Sequence, residues 1–284
     1  MQRISSPQLD NILGAEFPIL DHGFIRVIDY MGNDSSIVQA ARVSYGAGTK
    51  SVSTDKALIN YLMRHEHMTP FEMCVIKFHI KLPIFVARQW QRHRNSYNEI
   101  SARYSEVQDE FYIPQEEDVK LQSKSNHQGR DEESQLPFEQ VDKIRVDLKD
   151  TRNHCYRTYK ELLDKGVARE LARTTLPVSQ YTEFYWTLNL RSLFNFIRLR
   201  IDSHAQFEIR VYAQRLAEIT KLWVPDSYEA FSEYMLNSYT LSAKAHKVVN
   251  EYLKTGQLPS PDTCGLSKRE YSDLLNSSIF EGVE

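Results

Sequence analysis

Cys74-Val75-Ile76-Lys77-Phe78-His79-Ile80-Lys81-Leu82-Pro83 is the stretch that decides the fold. Cys74, Ile76, Phe78, Ile80 and Leu82 alternate with Val75, Lys77, His79 and Lys81. A period of two puts each set on its own face, so the segment reads as a strand with one buried side. Pro83 suits the first turn of a following helix, which runs to about Arg92. Beyond it, Glu99 to Tyr104 reads as extended. Upstream, Asp34 to Ser44 reads as a helix with Ile37, Ala40 and Ala41 on one side. A second helix runs from Thr54, its cap, to Arg64, with Leu58, Tyr61 and Leu62 as its apolar stripe.

Downstream the chain turns polar from Gln115 to about Gln140, a surface excursion rather than a linker. Its lysines and glutamates read as solvated surface. Val141 to Lys165 is a long helix stopped by Gly166. A short helix ends near Leu176-Pro177. Tyr181 to Leu188 alternates as a second strand. Helices follow over Ser192 to Arg200 and Ser203 to Leu222, the latter burying Ile209, Tyr212, Leu216 and Ile219. Residues 225–284 read as a helical tail with a loop at Gly256 to Pro261. One α+β domain with a mostly helical C-terminal half fits this order.

Composition excludes several classes. At 284 residues, 41% hydrophobic and 26% charged, the chain has ordinary globular proportions. No apolar run approaches ~18 residues, so no transmembrane helix is expected. Met1 to Leu20 lacks an apolar signal core, so a secretory peptide is not expected either. Cys74, Cys155 and Cys264 have no short spacing, which argues against a disulfide framework or a Cys-rich zinc site and for a reducing cytoplasm. A net charge of −3 gives no global field for nucleic acid. Gly46-Ala47-Gly48-Thr49-Lys50 lacks the third glycine of a dinucleotide fingerprint and reads as a turn.

The chemistry concentrates between Arg88 and Tyr104. Arg88, Arg92, His93, Arg94 and Arg103 put four arginines and a histidine into seventeen residues of an acidic chain. Arginine forks recognise phosphates and carboxylates. A solvated helix end is the plain alternative, but Phe85, Val86 and Trp90 interleave with the arginines and argue for partial burial. With period two, Glu99, Ser101 and Arg103 would share one face, which suits a small polar anion such as a nucleoside phosphate. A routine edge strand is the equal alternative. Arg191, Asn195 and Leu199, at i, i+4 and i+8, form a second group on one helix, with Asn189 before it and Arg200 and His204 after it. An exposed polar stripe is the plain reading there, yet Leu193, Phe194 and Phe196 enclose it.

Other chemistries find little support. His65 and His67 lie two apart and complete no zinc motif, so no metal is expected. Cys155 follows His154 in mid-helix, where adjacent side chains do not face each other. The residues therefore point to an anionic, phosphate-bearing ligand and no covalent nucleophile, hence to electrostatic or cofactor-based catalysis.

Arg92-His93-Arg94 with Asn98-Glu99-Ile100-Ser101-Ala102-Arg103-Tyr104 resembles the flavin-dependent thymidylate synthases. So do Ala41-Arg42-Val43-Ser44, His67-Met68-Thr69-Pro70-Phe71-Glu72 and Phe85-Val86-Ala87-Arg88-Gln89-Trp90. Ala172-Arg173 with Leu176-Pro177, Asn189-Leu190-Arg191-Ser192-Leu193 and Arg200-Ile201-Asp202-Ser203-His204-Ala205-Gln206 extend the resemblance. Order and spacing agree from about residue 20 to 235. In the family signature seven residues separate the second arginine from the serine; here six separate Arg94 from Ser101.

The resemblance implies a mainly antiparallel sheet packed by long helices, over residues 1–235, with 236–284 as a helical C-terminal extension. It implies reductive methylation of deoxyuridylate (dUMP) to thymidylate (dTMP). Methylene-tetrahydrofolate would give the carbon, reduced FAD the hydride, and NADPH would reduce the flavin. By the match, Gln89, Arg92, Glu99, Ser101, Ala102, Arg103, Arg173 and Arg200 bind dUMP, with Arg200 as the catalytic residue. Ser44, His67, Thr69, Glu72, Arg92, His93, Arg94, Asn189, Arg191, Asn195, Leu199 and His204 bind FAD. Family members are homotetramers with shared sites. The rival readings are a nucleotide- or RNA-binding module using the same arginine patch, or an inactive family member.

Overall fold

The computed structural model describes residues 4–43, 55–124 and 127–280. Ser44, the Gly46–Lys50 turn and the Thr54 cap lie outside them. The contacts divide the chain into two compact units, Met1–Leu236 and Asn237–Glu284.

In the first unit, the short helix α1 (Pro7–Asp10) leads to β1 (Glu16–Ile19) and β2 (Gly23–Met31). Helices α2 (Asp34–Val43) and α3 (Asp55–Arg64) follow, then a 3-10 turn at Thr69–Met73 and β3 (Val75–Pro83). Next come α4 (Ile84–Trp90), β4 (Ser96–Glu99) and, after a long irregular stretch, α5 (Phe138–Asp164) and α6 (Arg169–Ala172). β5 (Tyr181–Asn189), α7 (Leu190–Arg200), α8 (Phe207–Trp223) and α9 (Pro225–Phe231) complete it. In the second unit, α10 (Ala243–Thr255) and α11 (Lys268–Leu275) bury Ala245, Val248, Leu266 and Leu274 together.

The five strands form one antiparallel sheet in the order β1-β2-β3-β5-β4. The alternation in β3 works as expected. Ile76, Phe78, Ile80 and Leu82 are fully buried and pair with Leu188, Trp186, Phe184 and Thr182 of β5. Helices α4, α7 and α8 pack on this side. Trp90 ties them together, with ring centroids 4.4 Å from Phe196, 5.1 Å from Trp186 and 5.8 Å from Tyr212. The opposite face is polar. His79 stacks on Tyr185 and its Nε2 lies 2.9 Å from Glu183, while Lys81, 8% exposed, pairs with Glu110 at 2.6 Å.

Several expectations need correction. Residues 99–104 are not extended: β4 ends at Glu99, and the backbone N–H groups of Tyr104 and Ser105 donate to the Ser101 carbonyl. The chain curls there, which voids the shared face of Glu99, Ser101 and Arg103. Helix α4 stops at Trp90 rather than Arg92. Helix α8 starts at Phe207, not Ser203, because the Asp202 carboxylate accepts the His204 N–H and holds a turn. In α3 the buried stripe is Ile59, Leu62 and Met63, with Tyr61 44% exposed. The hairpin of β1 and β2 was not expected. Its alternation slips at a bulge between Val27 and Asp29.

Candidate active site

Helix α7 supplies the first wall. Asn189 caps it: its side-chain oxygen accepts the Ser192 N–H at 2.9 Å. This commits one end of the Asn189 amide to the helix and leaves its nitrogen free of that bond. Arg191, Asn195 and Arg198 then line a cavity of about 560 Å³ with Glu72, His93, Arg94 and Asn95. Leu199 does not line it and is 48% exposed. Helical phase gives the reason. At 3.6 residues per turn, position i+7 returns to within ~20° of Arg191, whereas i+8 is ~80° away. Arg198, not Leu199, therefore shares the face.

The second group of expected residues gathers elsewhere. Glu99, Ser101, Ala102 and Arg173 line a cavity of about 750 Å³, floored by Lys81, Gln180 and Thr182. Glu99 accepts the Thr182 hydroxyl at 2.6 Å. Arg103 lies outside the lining and pairs with Glu170 at 3.2 Å. Gln89, Arg92 and Arg200 line neither cavity. Gln89 hydrogen-bonds Gln206, while Arg200 reaches the Gln89 carbonyl at 3.4 Å. Thus the expected dUMP residues fall into two separate sets within one chain.

Of the remaining expected FAD residues, Thr69 is exposed and opens the 3-10 turn that carries Glu72. His67 is exposed, with its ring against Tyr61, and His204 is exposed beside Asp202 at 2.9 Å. Neither residue nor Thr69 lines the cavity. Their chain neighbours do: Glu66 and Met68 flank His67 and form part of the wall. Glu66 adopts the left-handed backbone (φ +55°). Sequence reading missed Arg198, Glu66 and Met68. Only Arg198 carried a usable signal, its helical phase.

Charge distinguishes this region. Arg26, Arg42, Arg103, Arg130, Arg145, Arg152, Arg191, Arg210 and Arg215 each meet a carboxylate. Among the described residues, Arg64, Arg88, Arg92, Arg94, Arg157, Arg169, Arg173, Arg198 and Arg200 have no such ion pair, and four of these nine gather in one place: Arg94 and Arg198 line the α7 cavity with His93, Arg200 bonds His93, and the Arg92 charge acts on Arg200. Unmatched cations repel one another, so this cluster favours an anionic partner. His93 sits among them. Burial, helped by the Arg200 charge, pushes its imidazole down to about 4, so it is neutral at pH 7. Burial also lowers Arg200, with Arg92 adding to the effect.

A cysteine nucleophile finds no place here. The Cys74 thiol is pushed up to about 12 by burial and by Asp34, and donates to the Asn33 carbonyl. Cys155 lies in α5 and Cys264 in the second unit; neither lines the two cavities. Among the described residues, no three of His, Cys, Asp and Glu gather as metal ligands. No helix of the described residues is long and apolar enough to cross a membrane.

The family model described as thymidylate synthase complementing protein, Thy1, matches residues 26–226. A relative from Rickettsia bellii (strain RML369-C) named flavin-dependent thymidylate synthase is 50% identical over 286 residues, covering 96% of this chain and 97% of its own length. A relative of the same name from Ehrlichia ruminantium (strain Gardel) is 53% identical over 276 residues, covering 97% and 92%. Among solved structures, a UMP/dUMP methylase, PolB, from Streptomyces cacaoi bound with 5-Br dUMP matches with a TM-score of 0.68 at 31% identity. It covers 77% of this chain and 98% of its own. The antiparallel sheet, the arginine segments in their order and this near full-length identity agree: the chain belongs to the flavin-dependent thymidylate synthases.

Proposed function

We propose that this chain reductively methylates dUMP to dTMP. The methylene group of methylene-tetrahydrofolate replaces the hydrogen on C5 of uracil, a hydride completes the methyl group, and the C5 proton leaves. The observation that carries this reading is the set of unpaired arginines around the neutral His93, beside a cavity faced by Arg191, Asn195 and Arg198.

The cavity's donors fit an FAD phosphate and polar ring edges: Arg94 and Arg198 have no carboxylate partner, and the Asn195 amide can donate and accept. Arg191, paired to Glu72 at 2.6 Å, would orient rather than neutralise. FAD, reduced by NADPH, would supply the hydride. Arg200 acts by charge. Its guanidinium stabilises the electron density that builds on the pyrimidine as C5 becomes nucleophilic. No enzyme nucleophile adds to the ring, in keeping with the buried, raised Cys74 thiol. Ser101 and Arg173 would hold the nucleotide from the second cavity, with Glu99 accepting from the sugar.

The two separated sets support a site completed by a second copy of the chain. One copy would give Gln89, Arg92 and Arg200, and another Glu99, Ser101, Ala102, Arg103 and Arg173, within a homotetramer. Two recognition sets that meet only on association would also position the substrate once assembly is complete. The test is the visible spectrum of the purified protein supplied with FAD, before and after dUMP. Protein-bound flavin bands that shift on adding dUMP are expected. Flavin that stays free, with no shift, would remove this reading.

A further inference from the structure

We propose that His93 is the positioning residue for Arg200: a neutral imidazole that accepts the Arg200 Nε–H and fixes the guanidinium without cancelling its charge. This rests on the proposed role of Arg200.

The geometry is specific. Arg200 Nε lies 2.9 Å from His93 Nε2. A guanidinium N–H can only donate, so Nε2 must carry its lone pair, and the ring proton sits on Nδ1. An imidazolium would set an N–H against an N–H and a cation against a cation. Burial and the Arg200 charge both disfavour that form, although Glu66 and Glu72 line the same cavity as His93. The imidazole is itself held. Phe196 packs edge-on at 4.7 Å, and the His93 carbonyl accepts from the Tyr97 hydroxyl at 2.5 Å and the Asn95 amide at 3.4 Å. Asn95 and Tyr97 lie in the shortened interval after Arg94, so that interval clamps the backbone of the acceptor.

The choice of acceptor has a consequence. Elsewhere this protein anchors arginines with carboxylates, as in Arg191–Glu72 and Arg210–Glu132. A carboxylate at Arg200 would orient the fork but offset the positive charge meant for the pyrimidine. A neutral imidazole orients it and leaves the charge whole. With Nε on His93 and one Nη2 proton on the Gln89 carbonyl, the Nη1 group keeps its donors for a ligand.

Two measurements test this. The first uses the ligand-free full chain labelled with 15N-histidine, with the His93 signals assigned by their loss in His93→Gln. A neutral Nδ1–H tautomer at pH 7 is expected; an Nε2–H tautomer or a cation overturns the proposal. The second is calorimetric dUMP affinity in excess FAD for His93→Phe and His93→Gln, each alone and with Arg200→Ala. Losing the acceptor should weaken dUMP about tenfold or more, the scale of one charge-assisted hydrogen bond. Glutamine, whose amide oxygen can accept the same N–H, should recover most of that loss. In the Arg200→Ala background, His93→Phe should have no further effect. Additive losses would show that His93 acts independently of Arg200 and overturn the proposal. If the wild-type chain binds no dUMP, the proposed function falls, while the tautomer still decides the His93–Arg200 bond.

Discussion

Arg198→Ala separates ligand binding from folding. Arg198 points into the α7 cavity, is exposed, and has no carboxylate partner among the described residues. Its removal strands no buried charge and empties no core, so stability should change by no more than about 0.5 kcal/mol. A charge-assisted hydrogen bond to a phosphate contributes about 1.5–3 kcal/mol. At about 1.4 kcal/mol per tenfold, FAD affinity should fall by roughly one to two orders of magnitude. Leu199→Ala, one residue on but out of phase, should leave FAD affinity unchanged. The assay is flavin fluorescence titration of the apo-protein at fixed low salt, with thermal melting as the folding control. Equal FAD affinities for Arg198→Ala and wild type, with equal melting, would refute the cavity as the place where the dinucleotide's phosphates bind.

Other perturbations follow from the same geometry. Arg200→Ala should lower dTMP formation by about two to three orders of magnitude, as for the loss of one preorganised charge-stabilising donor, while FAD stays bound; turnover and retained flavin absorbance check both halves. Lys81→Met removes a buried cation from the partly exposed Glu110 and Glu183 and should cost about 1–3 kcal/mol, read as a lowered denaturation midpoint that Glu110→Gln partly restores. Gly23→Ala should destabilise by about 1–3 kcal/mol in the same denaturation assay. Its new methyl would strike the Tyr212 hydroxyl, which donates to the Lys81 carbonyl. His93 gives a pH dependence. Its folded value is depressed to about 4, so the unfolded chain binds more protons between its ordinary value of about 6.5 and that point. That contribution to stability is full above pH 6.5 and is lost as pH falls towards 4. Chemical denaturation across this range should show a shallower acid loss in His93→Gln.

Regular periodicity was the most legible feature. The β3 alternation marked its buried face residue by residue, because Ile76, Phe78, Ile80 and Leu82 all face the same helices. The β1–β2 hairpin was hidden by Pro18 in a short edge strand and by the bulge that breaks the β2 period at Ile28. At the site, the arginine segments were visible as clustered charge, and Glu72, His93, Arg94, Arg191 and Asn195, named from the sequence, line one cavity. Ser101 to Ser105 misled because the turn is stabilised by backbone bonds to the Ser101 carbonyl, which no side-chain alternation records. Arg198 was legible in principle, since only phase separates it from Leu199. The division of the residues expected to bind dUMP into two sets was not legible, because linear order does not record which groups one fold keeps apart. Nor was the Arg200–His93 bond, which joins residues 107 apart in the chain.

The most direct measurement is dTMP formation by the purified chain from dUMP, methylene-tetrahydrofolate and NADPH, with and without FAD. Thymidylate that accumulates only with FAD, and not in Arg200→Ala, is the predicted result. No thymidylate from well-folded protein that retains FAD and binds dUMP would contradict the assignment of catalysis to this site.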